Sequence, residues 1–228
     1  MFVSIITSTC NRARFIPRLI EMVKSQTYPS TKIEWIVLDD GEPVGHLFEG
    51  VHVRYIYNDS KLTMGRKLNL LNKEAKGDII IVFDDDDYYP PDRVSSVVEA
   101  FSKSKKEVAG TSLVYMYYTD TNEIYSTGPY SEGHALNCTL AYRSSYLRNH
   151  RYDDDETCAV EHGFLNDFQE PMIQLNPFKT ILHIIHSSNT FDAINGRDEG
   201  KIGFMKKTGY TLNDFIKEPI QESFVNAY

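Results

Sequence analysis

The stretch Ile79-Ile80-Ile81-Val82-Phe83-Asp84-Asp85-Asp86-Asp87-Tyr88-Tyr89-Pro90-Pro91-Asp92-Arg93 decides how the rest of the chain is read. Its apolar, mostly β-branched start predicts a strand buried on both faces, and a run of carboxylates follows without a break. Neighbouring side chains of a strand point to opposite faces, so Asp84 and Asp86 share one side and Asp85 and Asp87 the other. Adjacent carboxylates repel, and a buried strand end leaves that repulsion costly unless it is compensated. A hard divalent cation compensates it, because Mg2+ or Mn2+ prefers one or two carboxylates together with phosphate oxygens. Open α/β sheets bind ligands beyond the carboxyl ends of their strands, so this strand end reads as a metal–phosphate site. The competing reading is a solvated acidic turn, with Asp92 complementing the first turn of the next helix.

Working outward, the first hundred residues alternate strand and helix. Phe2 to Thr7 predicts a short strand, followed by the polar turn Ser8-Thr9-Cys10-Asn11-Arg12. Phe15, Leu19, Met22 and Val23 recur at helical spacing as far as Gln26. Ile33 to Leu38 predicts a second buried strand ending in Asp39-Asp40-Gly41, and Val51 to Tyr57 a third. Leu62, Leu68, Leu71 and Ala75 mark a helix with Gly77 as its expected C-cap. After Pro90-Pro91 a helix runs through Val94, Val97, Val98 and Phe101, with proline suited to its first turn. Such alternation predicts a mainly parallel, twisted sheet covered by helices on both faces.

The second half has a different pattern. Thr111 to Thr119 and Glu123 to Thr127, divided by Asp120-Thr121-Asn122, predict a β-hairpin. A strand is expected at Asn137 to Tyr142, a helical turn at Ser144 to Asn149 and a helix at Val160 to Phe168. Thr180 to Ile185 predicts a strand ending in His186-Ser187-Ser188-Asn189-Thr190. Asp153-Asp154-Asp155-Glu156 reads as a solvated loop, Gly196 to Gly203 as a mobile segment, and Thr211 to Lys217 as a short helix. Without repeats or a clear linker, the chain reads as a single domain over 1–228. Its expected parts are a ligand-binding half at 1–104, a second half at 105–200 and a C-terminal segment at 201–228.

Composition narrows the class. Hydrophobic residues at 41% and charged residues at 25% are ordinary for a globular protein. A net charge of −8 argues against nucleic acid or an anionic membrane as the main partner, yet a metal can still bridge acid to phosphate. The start lacks a basic n-region and a long apolar h-region, and no apolar run approaches the roughly 20 residues of a membrane span. Cys10, Cys138 and Cys158 are too scattered for a disulfide framework or a zinc site. The expectation is a soluble, cytoplasmic protein; its oligomeric state is not legible.

Three strand ends thus carry chemistry on one sheet edge, and in this arrangement the chain resembles the GT-A glycosyltransferases, specifically the inverting, nucleotide-sugar-dependent family 2. Ser4-Ile5-Ile6-Thr7-Ser8-Thr9-Cys10-Asn11-Arg12 is similar to the family's first strand and T-x-N-R turn. Trp35-Ile36-Val37-Leu38-Asp39-Asp40-Gly41 resembles its second strand, where an aspartate holds base or ribose. Gly65-Arg66-Lys67-Leu68-Asn69 is similar to a G-x-K-R-N helix start, with Leu68 in place of the arginine. Asp84 to Arg93 resembles the DxD region with its P-D-R helix. The likeness covers residues 2 to 104 well and 130 to 190 loosely. It implies a GT-A (Rossmann-like) α/β fold, a nucleoside-diphosphate sugar donor (a UDP-sugar favoured), a glycan or other hydroxyl acceptor, and bound Mn2+ or Mg2+.

The resemblance also implies roles. Asp86 ligates the metal, with Asp84 as partner toward metal or ribose and Asp85 beside them. Thr9 and Arg12 face base and phosphate, Asp39 the base or ribose, and Lys67 the diphosphate. For Arg12 the alternative is an exposed helix-start side chain, for Asp39 a turn cap, and for Lys67 a solvated helix-face charge. Asp40 is read as that cap. Inverting transfer needs a base opposite the leaving group; Glu161 takes that role, with His162 where the family has a second acid. The alternative for Glu161 is a helix-dipole acid. His186 is a candidate metal or diphosphate contact, and His183 is set on another face. Trp35 is read as core, Tyr88 and Tyr89 as packing or sugar-facing rings. Two other readings compete. A sugar-nucleotide pyrophosphorylase would need a glycine-rich first loop, which Thr7 to Arg12 lacks. A non-catalytic nucleotide-sugar-binding module of the same fold would bind without turnover.

Overall fold

A computed structural model describes residues 1–189, 192–198, 200 and 203–216. The decisive strand is β4 (Ile79–Val82). It pairs parallel with β1 (Val3–Thr9), which pairs parallel with β2 (Ile33–Asp39), which pairs parallel with β3 (Arg54–Tyr57). On its other side lie β8 (Ala141–Arg143), then β5 (Val108–Gly110), then β9 (Met172–Gln174), so the order is β3-β2-β1-β4-β8-β5-β9. β8 is antiparallel to both its neighbours and β9 is parallel to β5. The sheet is therefore mixed but mainly parallel.

Period-two alternation explains why β4 is apolar throughout. Ile79 and Ile81 pack with Ile16 and Leu19 of α1 (Ile16–Lys24) and with Val94, Val97 and Phe101 of α3 (Arg93–Ser102). Ile80 and Val82 pack with Leu68 and Leu71 of α2 (Met64–Glu74) and Phe164 of α4 (Glu161–Phe164). Helices on both faces are thus as expected.

Several local readings need correction. Gly77 is not the cap of α2, which ends at Glu74 with Ala75 beyond it. Gly77 instead lets its backbone approach β1: its N–H donates to Ser4 Oγ at 2.8 Å, and a Cβ there would lie 2.5 Å from Ser4 N. The third strand is only Arg54–Tyr57. Asn137–Thr139 is a 3-10 turn rather than strand, with β8 after it. Helix α4 stops at Phe164, and Asn166, Asp167 and Phe168 follow with φ of 50°, 53° and 59°. Asp153 to Glu156 is docked, not free: the Thr63 hydroxyl donates to Asp154 O and the Gly65 N–H to Glu156 O. Three-residue β5 and β9 are too short to show a period.

The hairpin is present as β6 (Val114–Tyr118) and β7 (Glu123–Thr127), with Asn122 at φ 57° in its turn. It belongs to a second sheet of order β10-β6-β7-β11, with β10 at Leu182–Ile185 and β11 at Lys206–Lys207. Within the segment read as mobile, helix α5 spans Ala193–Asp198, while residues 199, 201 and 202 lie outside the described part. Leu212–Asp214 form a 3-10 turn; Lys217 and the tail also lie outside it, as does Thr190. One joint matters for function. Tyr88 and Leu182 exchange backbone hydrogen bonds at 3.1 and 2.9 Å, which ties β10 to the acidic run.

Candidate active site

β4 ends at Val82, and Asp84 to Asp87 lie in a bend, so strand alternation does not distribute their side chains. Each carboxylate has its own surroundings. Asp85 and Asp86, expected on opposite faces, share Arg12: Nη1 lies 2.9 Å from Asp85 Oδ1 and also contacts Asp86 Oδ2. His186 Nε2 is 3.1 Å from the same Asp86 oxygen, and Asn189 Nδ2 is 3.3 Å away. Asp87 accepts from the Ile184 N–H at 2.8 Å and pairs with His183 Nδ1 at 2.7 Å. Among the described residues the Asp84 carboxylate has no hydrogen-bond or ion-pair partner; its N–H donates to the Tyr89 hydroxyl at 2.7 Å.

These contacts set the protonation pattern. Burial, then the charges of Asp87, Asp86 and Asp85, hold the Asp84 carboxyl well above the usual range. Burial and Asp86 push Asp85 up to about 6, against the pull of Arg12 and Thr9. Burial would raise Asp86 too, but the His186 hydrogen bond and the Arg12 charge outweigh it and lower its pKa. Burial works against the Arg12 guanidinium, yet Asp86 and Asp85 raise its pKa. His183 is also disfavoured by burial, but Asp87 lifts it to about 9.

Of the expected metal ligands, the structure brings Asp86 and His186 into direct contact. The Ser188 N–H donates to His186 Nδ1 at 3.1 Å, so Nε2 carries the proton that faces Asp86. A cation can replace that proton with no change of ring orientation, and the hydrogen bond at the other nitrogen fixes the imidazole. Among the described residues, the three acid, cysteine or histidine side chains that bring ligand atoms within 4.8 Å of one another are Asp87, Cys138 and His183, not the expected set of Asp84, Asp86 and His186. Cys138 thus joins an acid and a histidine after all, although the 2.7 Å Asp87–His183 contact already has a proton between its atoms.

The nucleotide side is more committed than the sequence suggests. Asn11, at φ 57°, turns the first loop, and its Oδ1 accepts from the Glu42 N–H at 2.7 Å, joining it to the second loop. Arg12 reaches back across the chain, donating from Nη2 to Ser188 O at 3.0 Å. Thr9 is buried at the end of β1 near Asp85. Asp39 is fully buried and holds its own loop: it accepts from the Gly41 N–H at 2.9 Å, the Val44 N–H at 3.1 Å and the Tyr55 hydroxyl at 2.6 Å. Asp40 does more than cap. It accepts from the Leu62 N–H at 2.8 Å and pairs with Lys67 Nζ at 3.0 Å. Lys67 is therefore neither solvated nor free for a ligand; both its side chain and that of Asp40 are buried.

Glu161 opens α4 and is buried, and burial foremost raises its pKa. The Cys138 thiol and the Tyr152 hydroxyl each feel the charges of both Glu161 and Asp84. His162 points outward and meets Asp167 at 3.2 Å. Tyr89 is wholly buried and stacks on Phe83, so it packs rather than facing a sugar; Trp35 is core and donates to Thr7 Oγ1 at 3.1 Å. The sequence reading set His183 aside. Its spacing from His186 across β10 was the available signal, but only the Tyr88–Leu182 joint reveals that both histidines reach the acidic run.

A mainly parallel sheet with acidic residues beyond its central strand, crossed by a histidine-bearing strand of a second sheet, defines a GT-A glycosyltransferase domain. Residues 4–169 match the family model described as glycosyl transferase family 2, and the chain belongs to that family. Protein CgeD of Bacillus subtilis (strain 168) is 27% identical over 191 residues, covering 71% of this chain and 44% of CgeD. The chain thus spans less than half of that relative. Among solved structures, S. aureus TarS 1-349 in complex with UDP-GlcNAc superposes with a TM-score of 0.68 at 16% identity, covering 83% of this chain and 60% of that one. Mannosyltransferase PcManGT from Pyrobaculum calidifontis, in complex with GDP-Man and Mn2+, gives 0.66 at 15% identity, covering 99% and 69%. At these identities the superpositions speak for the fold.

Proposed function

We propose that this domain moves a sugar from a nucleoside-diphosphate sugar, with UDP as the favoured nucleotide, to a hydroxyl of a glycan or other acceptor, inverting the sugar carbon with Mn2+ or Mg2+ bound. The observation that carries the reading is the contact of Asp86 with His186 in the acidic run beyond β4, with Glu161 buried at the start of α4. The UDP-GlcNAc complex of TarS supports a UDP-sugar, and the Mn2+ in PcManGT supports a divalent ion. No helix of the described residues is long and apolar enough to cross a membrane.

Asp84, Asp86 and His186 would hold the ion, which supplies Lewis-acid stabilisation of the departing diphosphate. Arg12 adds positive charge beside it, with Thr9 at the end of β1 and Asp85 beyond β4. Asp39 and Lys67 act from behind, Asp39 by fixing the loop from Gly41 to Val44 and Lys67 by holding Asp40. Glu161 accepts the proton of the acceptor hydroxyl as its oxygen bonds to the sugar carbon. The bond from that carbon to the phosphate oxygen breaks, and its electron pair leaves with the nucleoside diphosphate. A carboxylate whose proton affinity is raised by burial is the stronger base for this step.

The test is a hydrolysis and binding screen of UDP-, GDP- and dTDP-sugars with and without Mn2+. One donor should bind in a Mn2+-dependent way and turn over slowly. Asp86→Ala should abolish that dependence in calorimetry; undiminished binding would refute the site. Tight donor binding without turnover on any acceptor would favour the binding-module reading.

A further inference from the structure

One side chain holds two acids of the run and the turn after β10 together. Arg12 Nη1 contacts Asp86 Oδ2 and lies 2.9 Å from Asp85 Oδ1, so a single guanidinium nitrogen bridges two carboxylates. Its other terminal nitrogen, Nη2, donates to Ser188 O at 3.0 Å, and Arg14 Nη2 donates to the Ser188 hydroxyl at 2.8 Å. The Ser188 N–H in turn orients His186 through Nδ1. The oxygen that Arg12 holds is also the one that faces the expected histidine ligand: His186 Nε2 is 3.1 Å and Asn189 Nδ2 3.3 Å from Asp86 Oδ2. A carboxylate oxygen offers about two lone-pair sites, and three donors already crowd this one. A hard divalent ion coordinates such an oxygen at about 2 Å, which leaves no room for a cationic N–H on the same atom. Guanidinium and ion are therefore alternatives at Asp86 Oδ2: each neutralises the acid, and each repels the other at contact distance. Arg12 is not locked in place by burial, since 19% of its side chain is exposed. A planar guanidinium that matches carboxylate oxygens matches phosphoryl oxygens as well.

We propose that Arg12 exchanges partners when the donor binds, yielding Asp86 to a divalent ion and taking the diphosphate instead, so that metal and nucleotide bind cooperatively through this one side chain. The inference rests on the glycosyltransferase reading and adds to it the coupling between the two parts of the donor complex. Binding of the ion alone breaks the Arg12 contacts and returns nothing to the guanidinium. Binding of a nucleoside diphosphate alone draws Arg12 off the acids and leaves their repulsion uncompensated. When both bind, each removes the penalty of the other, which is a coupling free energy between two ligands.

The experiment measures by calorimetry the affinities of Mn2+ alone, of UDP alone and of each in the presence of the other, on the native protein, Arg12→Gln and Arg12→Lys. In the native protein each ligand should raise the affinity for the other. In Arg12→Gln, Mn2+ alone should bind about tenfold more tightly and UDP alone more weakly, and the mutual enhancement should fall by about tenfold. A side chain acting only through its charge would shift the two separate affinities in these directions and leave the enhancement at its native size. That result would overturn the exchange, as would an unchanged affinity for Mn2+ alone. Arg12→Lys retains the positive charge that Asp85 and Asp86 need for folding, but its single ammonium does not span both acids and Ser188. It should also bind Mn2+ alone more tightly than the native protein, and equal affinities would count against the proposal. Asp86→Ala tests the level below: Mn2+ binding that survives this substitution refutes the metal site and the exchange together. If no nucleotide sugar is turned over while the enhancement is present in the native protein and reduced in both Arg12 variants, the catalytic reading fails and the exchange stands.

Discussion

The Asp87–His183 pair makes stability depend on pH in a direction that can be worked out beforehand. In the folded chain the imidazole is raised to about 9 from 6.5. A group whose proton affinity rises on folding stabilises the folded state when protonated. Its contribution is complete below the unfolded value of 6.5 and is lost as pH climbs through about 9. At about 1.4 kcal/mol for each tenfold change in proton affinity, the rise is worth about 3 kcal/mol. Asp87 is wholly buried and only 22% of the His183 side chain is exposed, so solvent screening removes little of it. The comparison is Asp87→Asn/His183→Gln, which retains hydrogen-bonding groups and removes both titrating ones; replacing His183 alone would leave a buried carboxylate to titrate in its stead. Urea unfolding of both proteins at intervals from pH 6 to pH 10 gives the gap in stability. That gap should favour the native protein most near pH 6 and close by about 3 kcal/mol toward pH 10. A gap that stays constant with pH would show that His183 is neutral in the folded chain and that the reasoning is wrong.

Other substitutions separate chemistry from scaffold. Glu161→Gln should leave donor affinity near native and lower kcat by roughly 10²–10⁴, the usual contribution of a positioned acid or base; an unchanged rate removes Glu161 from the reaction. Lys67→Met leaves Asp40 buried without its cation and should cost about 3 kcal/mol in urea unfolding, whereas a solvated lysine would cost almost nothing. Gly65→Ala places a Cβ 1.8 Å from the carbonyl oxygen of Asp153, so the docked loop must shift. A loss of about 1–3 kcal/mol is expected, and an unchanged Tm would mean that the loop is not seated on α2.

The readable part of the chain is the part whose chemistry lies within one strand and its following turn. β1, β2, β4, α1, α2 and α3 carry regular apolar spacing over seven to eleven residues in all but β4, and each was legible, as were the acids beyond β4. β5, β8 and β9 have three residues each, too few for a period, and their pairing comes from the tertiary fold. Helix α4 was read too long because Phe168 continues the apolar stripe. The left-handed backbone at Asn166, Asp167 and Phe168 is a conformation that no spacing rule announces for a bulky residue. At the site, Asp86 and His186 were both legible by type, but what they contact was not. The committed partners of Asp39, Asp40 and Lys67 were also hidden, because each is satisfied across the chain rather than by a neighbour in sequence.

That distribution follows from how the site is assembled. Four acids at one strand end are tolerable only if positive charge arrives from elsewhere, and no basic residue stands among them. Arg12 comes from the turn after β1, and His183 comes from β10, which belongs to the other sheet. The Tyr88–Leu182 hydrogen bonds fix β10 against the bend, and Arg12 closes the loop by donating to both the acids and Ser188. Each piece alone carries unbalanced charge, so the electrostatic demand of the acidic run itself helps to draw the second sheet onto the first. The same contacts that complete the fold leave the Asp84 carboxyl without a hydrogen-bond or ion-pair partner among the described residues. On the proposed glycosyltransferase reading, a donor that brings a divalent ion with its phosphates would bind at the seam between the two sheets.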